Sequence, residues 1–313
     1  MKTHKLSIVG VGHVGSAVLE KAVSVGLFST ISLVDIKQEV AFGEALDISH
    51  SMSSSLNPNT IVYSGGFESV KDADIIIIAA GPSIKPGCSD RLTLAKENTA
   101  VINDVMSNIV KFNTQAVIIM ISNPLDVTTY LAATKFNLKK GQVFGTGTTL
   151  ETLRFKYIIS NLLKVSAHDV YGYVLGEHGN SSFPAFSTLK VAGMDYEGIQ
   201  DFFKVKINNK EVQENVIKTA YEVNNAKGWT NTGIAAGAIR IAKAIVLDEK
   251  AILPVSMPLD GEYGEKGVSL SLPCLIGKDG IEKRFTPTLD DTETQLLKHS
   301  ASCIRSVIDK LSL

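Results

Sequence analysis

The 313 residues suffice for one large domain or two ordinary ones around a substantial core, and 44% hydrophobic with 20% charged residues is the make-up of a folded globular chain, not a disordered one. With 31 basic against 32 acidic residues, no overall charge recruits nucleic acid or an anionic membrane, which leaves a small molecule as the expected ligand. No segment reaches the roughly 18–20 continuous apolar residues of a membrane span, and the widely spaced Cys88, Cys274 and Cys303 lack the pairing of a zinc or redox motif, so no metal is expected.

The opening MKTHKLSIVGVGHVG breaks its apolar stretch with glycines and has no small-residue cleavage signature, so the expectation is a cytoplasmic chain without a signal peptide. From there to about Gly145, short β-branched runs (LSIVGVG, ISLVDI, ADIIIIAAG, AVIIMISNP, QVFGTG) alternate with longer helical patterns. That alternation predicts parallel strands joined by crossover helices, and the continuously apolar Ile75 to Ile78 reads as a strand covered on both faces. The fold class is therefore α/β, a Rossmann-type doubly wound parallel sheet over residues 1–145. Beyond it the pattern becomes mixed: a helix from Thr149 to Leu163, paired strand-like runs around DVYGYVLGEHG and SSFPAFSTLKVAG, helices near 210–248 and 290–310, and strands between Ile252 and Gly280 with turns at Asp260-Gly261 and Asp279-Gly280. Residues 146–313 are read as an α+β substrate domain, packed against the first without a low-complexity linker.

Gly10, Gly12 and Gly15 form GxGxxG between the strand LSIV and a helical pattern. Such a turn lets a pyrophosphate approach bare backbone at a helix N-terminus, with a tight strand-to-helix turn without ligand as the competing reading. Asp35, 20 residues after Gly15 at the end of the next strand, stands where a ribose-binding carboxylate belongs, and it would repel the 2′-phosphate of NADP. The cofactor predicted is NAD; the alternative reading of Asp35 is a turn aspartate.

Downstream lie AAGPSIKPGCSDRL at 79–92, ISNPLDV at 121–127, GTGTTLETLRF at 145–155, GEHGNSSF at 176–183 and KGWTNTGIA at 227–235. With the glycine turn, these motifs resemble the L-lactate and malate dehydrogenase family in order along essentially the whole chain, and in particular its L-2-hydroxyisocaproate dehydrogenase branch. The resemblance implies an NAD-dependent L-2-hydroxyacid dehydrogenase. It places the proton donor and acceptor at His178, where imidazole chemistry suits the task, and the clamp on the substrate carboxylate at Arg154, whose planar guanidinium can bind it bidentately. Arg91 corresponds to the loop arginine that polarises the ketone. Asn123 corresponds to a residue contacting the substrate oxygen and the nicotinamide side, and the Asn123–Pro124 bond is a candidate cis peptide. Thr230 and Ile234 match positions near substrate and nicotinamide ring, with plain helix packing as the competing reading.

Two departures qualify the carry-over. The family's aspartate beside the histidine is here Glu151, which keeps a carboxylate to orient the imidazole but adds a methylene. Asn180 stands where lactate dehydrogenases commonly carry aspartate. Ile84 occupies the position that in the family faces the substrate side chain; glutamine there accompanies pyruvate and arginine accompanies oxaloacetate. An apolar residue disfavours a second carboxylate, and the loop before Arg91 is one residue longer than in typical lactate dehydrogenases, so a 2-oxo acid with an apolar side chain is expected. L-Lactate dehydrogenase is the alternative, with malate dehydrogenase and a non-catalytic NAD-binding protein behind it. Lys156 and Tyr171 match the basic pair that binds fructose bisphosphate in activated bacterial relatives; one member being tyrosine, such activation is not expected. A homotetramer or homodimer is what the resemblance implies for assembly.

Overall fold

In the computed structural model, residues 3–54, 59–82 and 91–313 are described, the side chains of 91 and 92 excepted. The chain opens with β1 (Lys5–Val9), α1 (His13–Val25), β2 (Thr30–Val34), α2 (Gln38–Ser51), β3 (Ile61–Ser64) and β4 (Ile75–Ile78). It continues through α3 (Arg91–Phe112), β5 (Val117–Met120), α4 (Leu125–Lys135) and β6 (Val143–Gly145). Then come α5 (Thr149–Leu163), β7 (Val170–Leu175), β8 (Phe183–Val191), α6 (Tyr196–Phe203), α7 (Asn209–Lys227) and α8 (Thr232–Val246). The chain closes with β9 (Ala251–Asp260), β10 (Lys266–Gly277), β11 (Gly280–Arg284) and α9 (Asp291–Leu311).

The main sheet runs β11-β10-β9-β6-β5-β4-β1-β2-β3. Its six strands from β3 to β6 are mutually parallel, in the order 3-2-1-4-5-6 of a doubly wound dinucleotide-binding sheet. The tetraisoleucine of β4 shows why a parallel strand reads as an unbroken apolar run. Ile75 and Ile77 join the core that holds Val18, Leu19 and Ala22 of α1, while Ile76 and Ile78 join the opposite core with Ile102, Met106 and Ile109 of α3.

β9, β10 and β11 extend the same sheet in antiparallel fashion, β9 meeting β6 at the pair Gly145 and Ser256. A separate antiparallel pair, β7 and β8, packs with α5, α6 and α7 around a third core built on Phe155, Ile159, Phe186 and Leu189. The strand β3 did not figure among the sequence expectations: IVYS is an edge strand of alternately exposed and half-buried residues, and it lacks the continuous apolar run of its neighbours.

Candidate active site

The β1–α1 turn lies at the carboxyl ends of β1 and β4, where the strand order reverses and ligands of such sheets bind. Gly10 has φ +92°, and a Cβ there would stand 2.6 Å from the backbone of Ala80 after β4, so this position takes only glycine. Its N–H donates to the Val34 carbonyl at 2.8 Å, tying the turn to β2. Gly12 differs: a Cβ would meet nothing within 4 Å, and no side chain caps the N-terminus of α1. Bare backbone facing open space beside a positive helix end is what an approaching pyrophosphate needs. Asp35 follows β2, and its Oδ2 accepts from the Val11 N–H at 2.7 Å while Oδ1 accepts from Lys37 N–H at 2.9 Å. The carboxylate is thus aimed across the turn, half-buried, with lone pairs left for ribose hydroxyls. These residues fit a bound NAD.

A second cluster lies where α4, α5, β9 and the loop after β7 meet. The helix α5 is locked to β7 by threonines: Thr148 Oγ1 donates to the Val174 carbonyl at 2.5 Å and Thr152 Oγ1 accepts from the Val174 N–H at 3.0 Å. Gly176, at φ +90°, then turns the chain so that His178 faces α5; a Cβ on Gly176 would lie 2.5 Å from Ser300 Oγ of α9. As a result, His178 Nδ1 sits 3.2 Å from Glu151 Oε2, and Glu151 Oε1 accepts from Arg154 Nη1 at 3.3 Å. One carboxylate joins the imidazole to the guanidinium, and all three side chains are largely buried, Glu151 most of all.

Burial penalises a charged imidazole, yet the negative charge of Glu151, its hydrogen bond to the ring and the charge of Asp126 outweigh that penalty and raise His178 to about 9. Burial likewise opposes ionisation of Glu151, but His178 and Arg154 overcome it and hold the carboxyl below its usual range. Arg154 is itself lowered by burial, against the pull of Glu151. With Nδ1 turned to the carboxylate, Nε2 is the nitrogen left to exchange a proton. The extra methylene of Glu151 therefore does not carry the carboxylate out of reach of His178.

The sequence reading missed Asp126. It is 1% exposed and accepts from the His178 backbone N–H at 2.7 Å and from Ser256 Oγ at 2.5 Å. Its only signal is an acidic residue inside the apolar run of ISNPLDV, which an N-terminal helix position also explains.

Asn123 is exposed just ahead of α4, and its bond to Pro124 is cis, as the motif implies. Thr230 is half-buried and Ile234 buried in the first turn of α8. The residue before Thr230, Trp229, stacks on His13 of the glycine turn with ring centroids 3.9 Å apart, which draws the α7–α8 connection towards the cofactor turn. Ile84 and Cys88 lie outside the described residues, as does the side chain of Arg91, whose backbone opens α3. Asn180 accepts from the Tyr221 hydroxyl at 2.7 Å. Lys156 Nζ lies 5.8 Å from the centroid of the Tyr171 ring. Among the described residues no group of three or more His, Cys, Asp or Glu side chains is placed to hold a metal ion, and no helix is long and apolar enough to cross a membrane.

Residues 4–145 match the family described as lactate/malate dehydrogenase, NAD binding domain, and residues 148–312 match its alpha/beta C-terminal domain. The chain belongs to the lactate/malate dehydrogenase family. Curated relatives include L-lactate dehydrogenase 2 of Clostridium acetobutylicum, 43% identical over 99% of this chain and 98% of the relative. L-lactate dehydrogenase of Selenomonas ruminantium is 42% identical over 97% of both chains. Among solved structures, the ligand-bound minor L-lactate dehydrogenase of Enterococcus mundtii superimposes with a TM-score of 0.94 at 33% identity, covering 98% of each chain. As a member of the lactate/malate dehydrogenase family, the protein is an NAD-dependent oxidoreductase acting on 2-hydroxy acids.

Proposed function

We propose that the protein interconverts L-2-hydroxy acids and 2-oxo acids with an apolar side chain, residues 1–145 forming the cofactor domain and 146–313 the substrate domain. The observation that carries this reading is the buried constellation in which Glu151 links His178 to Arg154. Arg154 exchanges its contact with Glu151 for the substrate carboxylate and fixes which face of the ketone is presented. NAD, when bound along the Gly10–Gly15 turn, supplies or accepts the hydride at the substrate's C2. In reduction His178 Nε2 gives its proton to the ketone oxygen, and in oxidation the neutral ring takes that proton back. Glu151 holds the ring and balances the imidazolium. Arg91 polarises the carbonyl, Asn123 and Thr230 line the reacting end, Ile234 borders the nicotinamide and Asp35 selects NAD over NADP. Family resemblance further supports a homotetramer or homodimer and a cytoplasmic location.

The side-chain preference rests on Ile84. Relative to pyruvate, 4-methyl-2-oxopentanoate adds three apolar carbons; at about 0.8 kcal/mol each, full burial favours it by roughly 2.4 kcal/mol, about fiftyfold in kcat/KM. A second reading, L-lactate dehydrogenase, is favoured by the names of the relatives at 43% and 42% identity. NADH oxidation followed with pyruvate, 2-oxobutanoate, 4-methyl-2-oxopentanoate and oxaloacetate separates the two. Higher kcat/KM with the branched acid is the expected outcome, and Ile84→Arg should then move preference towards oxaloacetate. Rejection of every acid larger than pyruvate establishes the second reading, and a wild-type preference for oxaloacetate defeats both.

A further inference from the structure

We infer that Asp126 is a positioning residue for His178, its carboxylate anchoring the histidine backbone and adding its negative charge to that of Glu151. This rests on the role proposed for His178. Asp126 stands in the first turn of α4, directly after the cis Asn123–Pro124 bond. Its Oδ2 takes the His178 N–H at 2.7 Å and its Oδ1 takes the Ser256 hydroxyl at 2.5 Å. Ser256 is fully buried on β9 opposite Gly145, the last residue of β6. One carboxylate thus joins the substrate-side loop after β7, the helix after the SNP turn and the strand where the sheet changes from parallel to antiparallel.

A neutral amide in the same place could accept from the His178 N–H and donate to the Ser256 hydroxyl, so hydrogen bonding alone does not call for an acid. What the carboxylate adds is charge, in a place where burial makes charge expensive. The groups facing Asp126 are His178, Ser256 and the carboxylate of Glu177; those facing His178 are Glu151, Asp126 and Arg154. Burial pushes Asp126 up to about 7, against the hydrogen bonds and the positive charge of His178, while Glu177 adds to the rise. The ionisations of Asp126 and His178 therefore support one another, and loss of either charge weakens the other.

The test compares wild type with Asp126→Asn, Asp126→Glu, Ser256→Ala and His178→Ala, measuring NADH affinity, KM, kcat and the pH profile of kcat/KM for 2-oxo acid reduction. Asp126→Asn should keep NADH affinity and KM within about threefold, lose about tenfold in kcat, and move the alkaline limb of the profile down by about one pH unit. Asp126→Glu should restore the limb. Ser256→Ala, which removes a bond that favours the ionised carboxyl, should move it in the same direction by less, and it carries the test if Asp126→Asn does not fold. Wild-type pH profiles in Asp126→Asn and Ser256→Ala overturn the inference, as does a limb that Asp126→Glu leaves displaced. Full activity in His178→Ala instead overturns the reading of His178, which separates the two failures.

Discussion

Glu151 decides how the imidazole is held. From α5 it reaches His178 through one oxygen and Arg154 through the other, three residues on along the same helix. Aspartate, the family's usual residue, is shorter by one methylene, so the departure noted in the sequence preserves a carboxylate within reach of the imidazole, and here that carboxylate also contacts Arg154. The pH dependence follows from its charge. His178 is raised to about 9, so the ring is protonated below that value. With His178 as the proton donor proposed above, reduction should hold its rate through neutral pH and fall as pH rises through about 9. Oxidation needs the neutral ring and should rise over the same window. Glu151→Gln removes the main force lifting the ring, and both limbs should move down towards about 6.5, the ordinary histidine value. Steady-state rates in both directions between pH 6 and 10 check this; coincident profiles for wild type and Glu151→Gln would show that another group supports His178.

At the scale of elements, the β1–α1 turn separates two kinds of glycine that look alike in a motif. Gly10 is required by the fold, since its φ of +92° and the closeness of Ala80 leave no room for a side chain. Gly12 is open to solvent, and nothing in the protein itself excludes a methyl group there. Gly12→Ala should therefore melt close to wild type while binding NADH at least about tenfold more weakly. Gly10→Ala should cost about 1–3 kcal/mol or more of stability through backbone strain alone. Thermal melts and NADH titrations of both variants distinguish the roles, and unchanged NADH affinity in Gly12→Ala would mean that the pyrophosphate does not approach that backbone.

Over the whole molecule, one continuous sheet passes from the parallel cofactor strands into the antiparallel β9–β11. The core of α1 and α8 spans both halves, with Val18 and Leu19 sharing a cluster with Ile239 and Ala242. Unfolding should consequently be a single cooperative transition. NADH at about 100 times its dissociation constant should stabilise the fold by about 2.7 kcal/mol, a rise of about 4 °C in Tm for a chain of this length. NADPH at equal concentration should give much less, because Asp35, in the ribose-binding role proposed above, would meet its 2′-phosphate. Calorimetry with each cofactor tests both statements: two resolved transitions refute the coupling, and equal shifts refute the selectivity.

Period and punctuation in the sequence alone were enough for five of the six parallel strands: buried strands such as Ile75–Ile78 are apolar at every position, and GxGxxG followed by Asp35 can be read without knowing any contact. The helix from Thr149 to Leu163 was legible for the same reason, its pattern being local. The residues His178, Glu151 and Arg154 came from motif resemblance, because nothing local marks a histidine as paired with a glutamate 27 residues earlier. Tertiary structure alone decided that the longer Glu151 still reaches the ring, that β3 completes the edge, and that β9–β11 join the first half's sheet. It alone disclosed Asp126, whose partners lie 52 and 130 residues away. Residue pattern records which faces are buried, whereas the charge on a buried group depends on which distant atoms are folded against it.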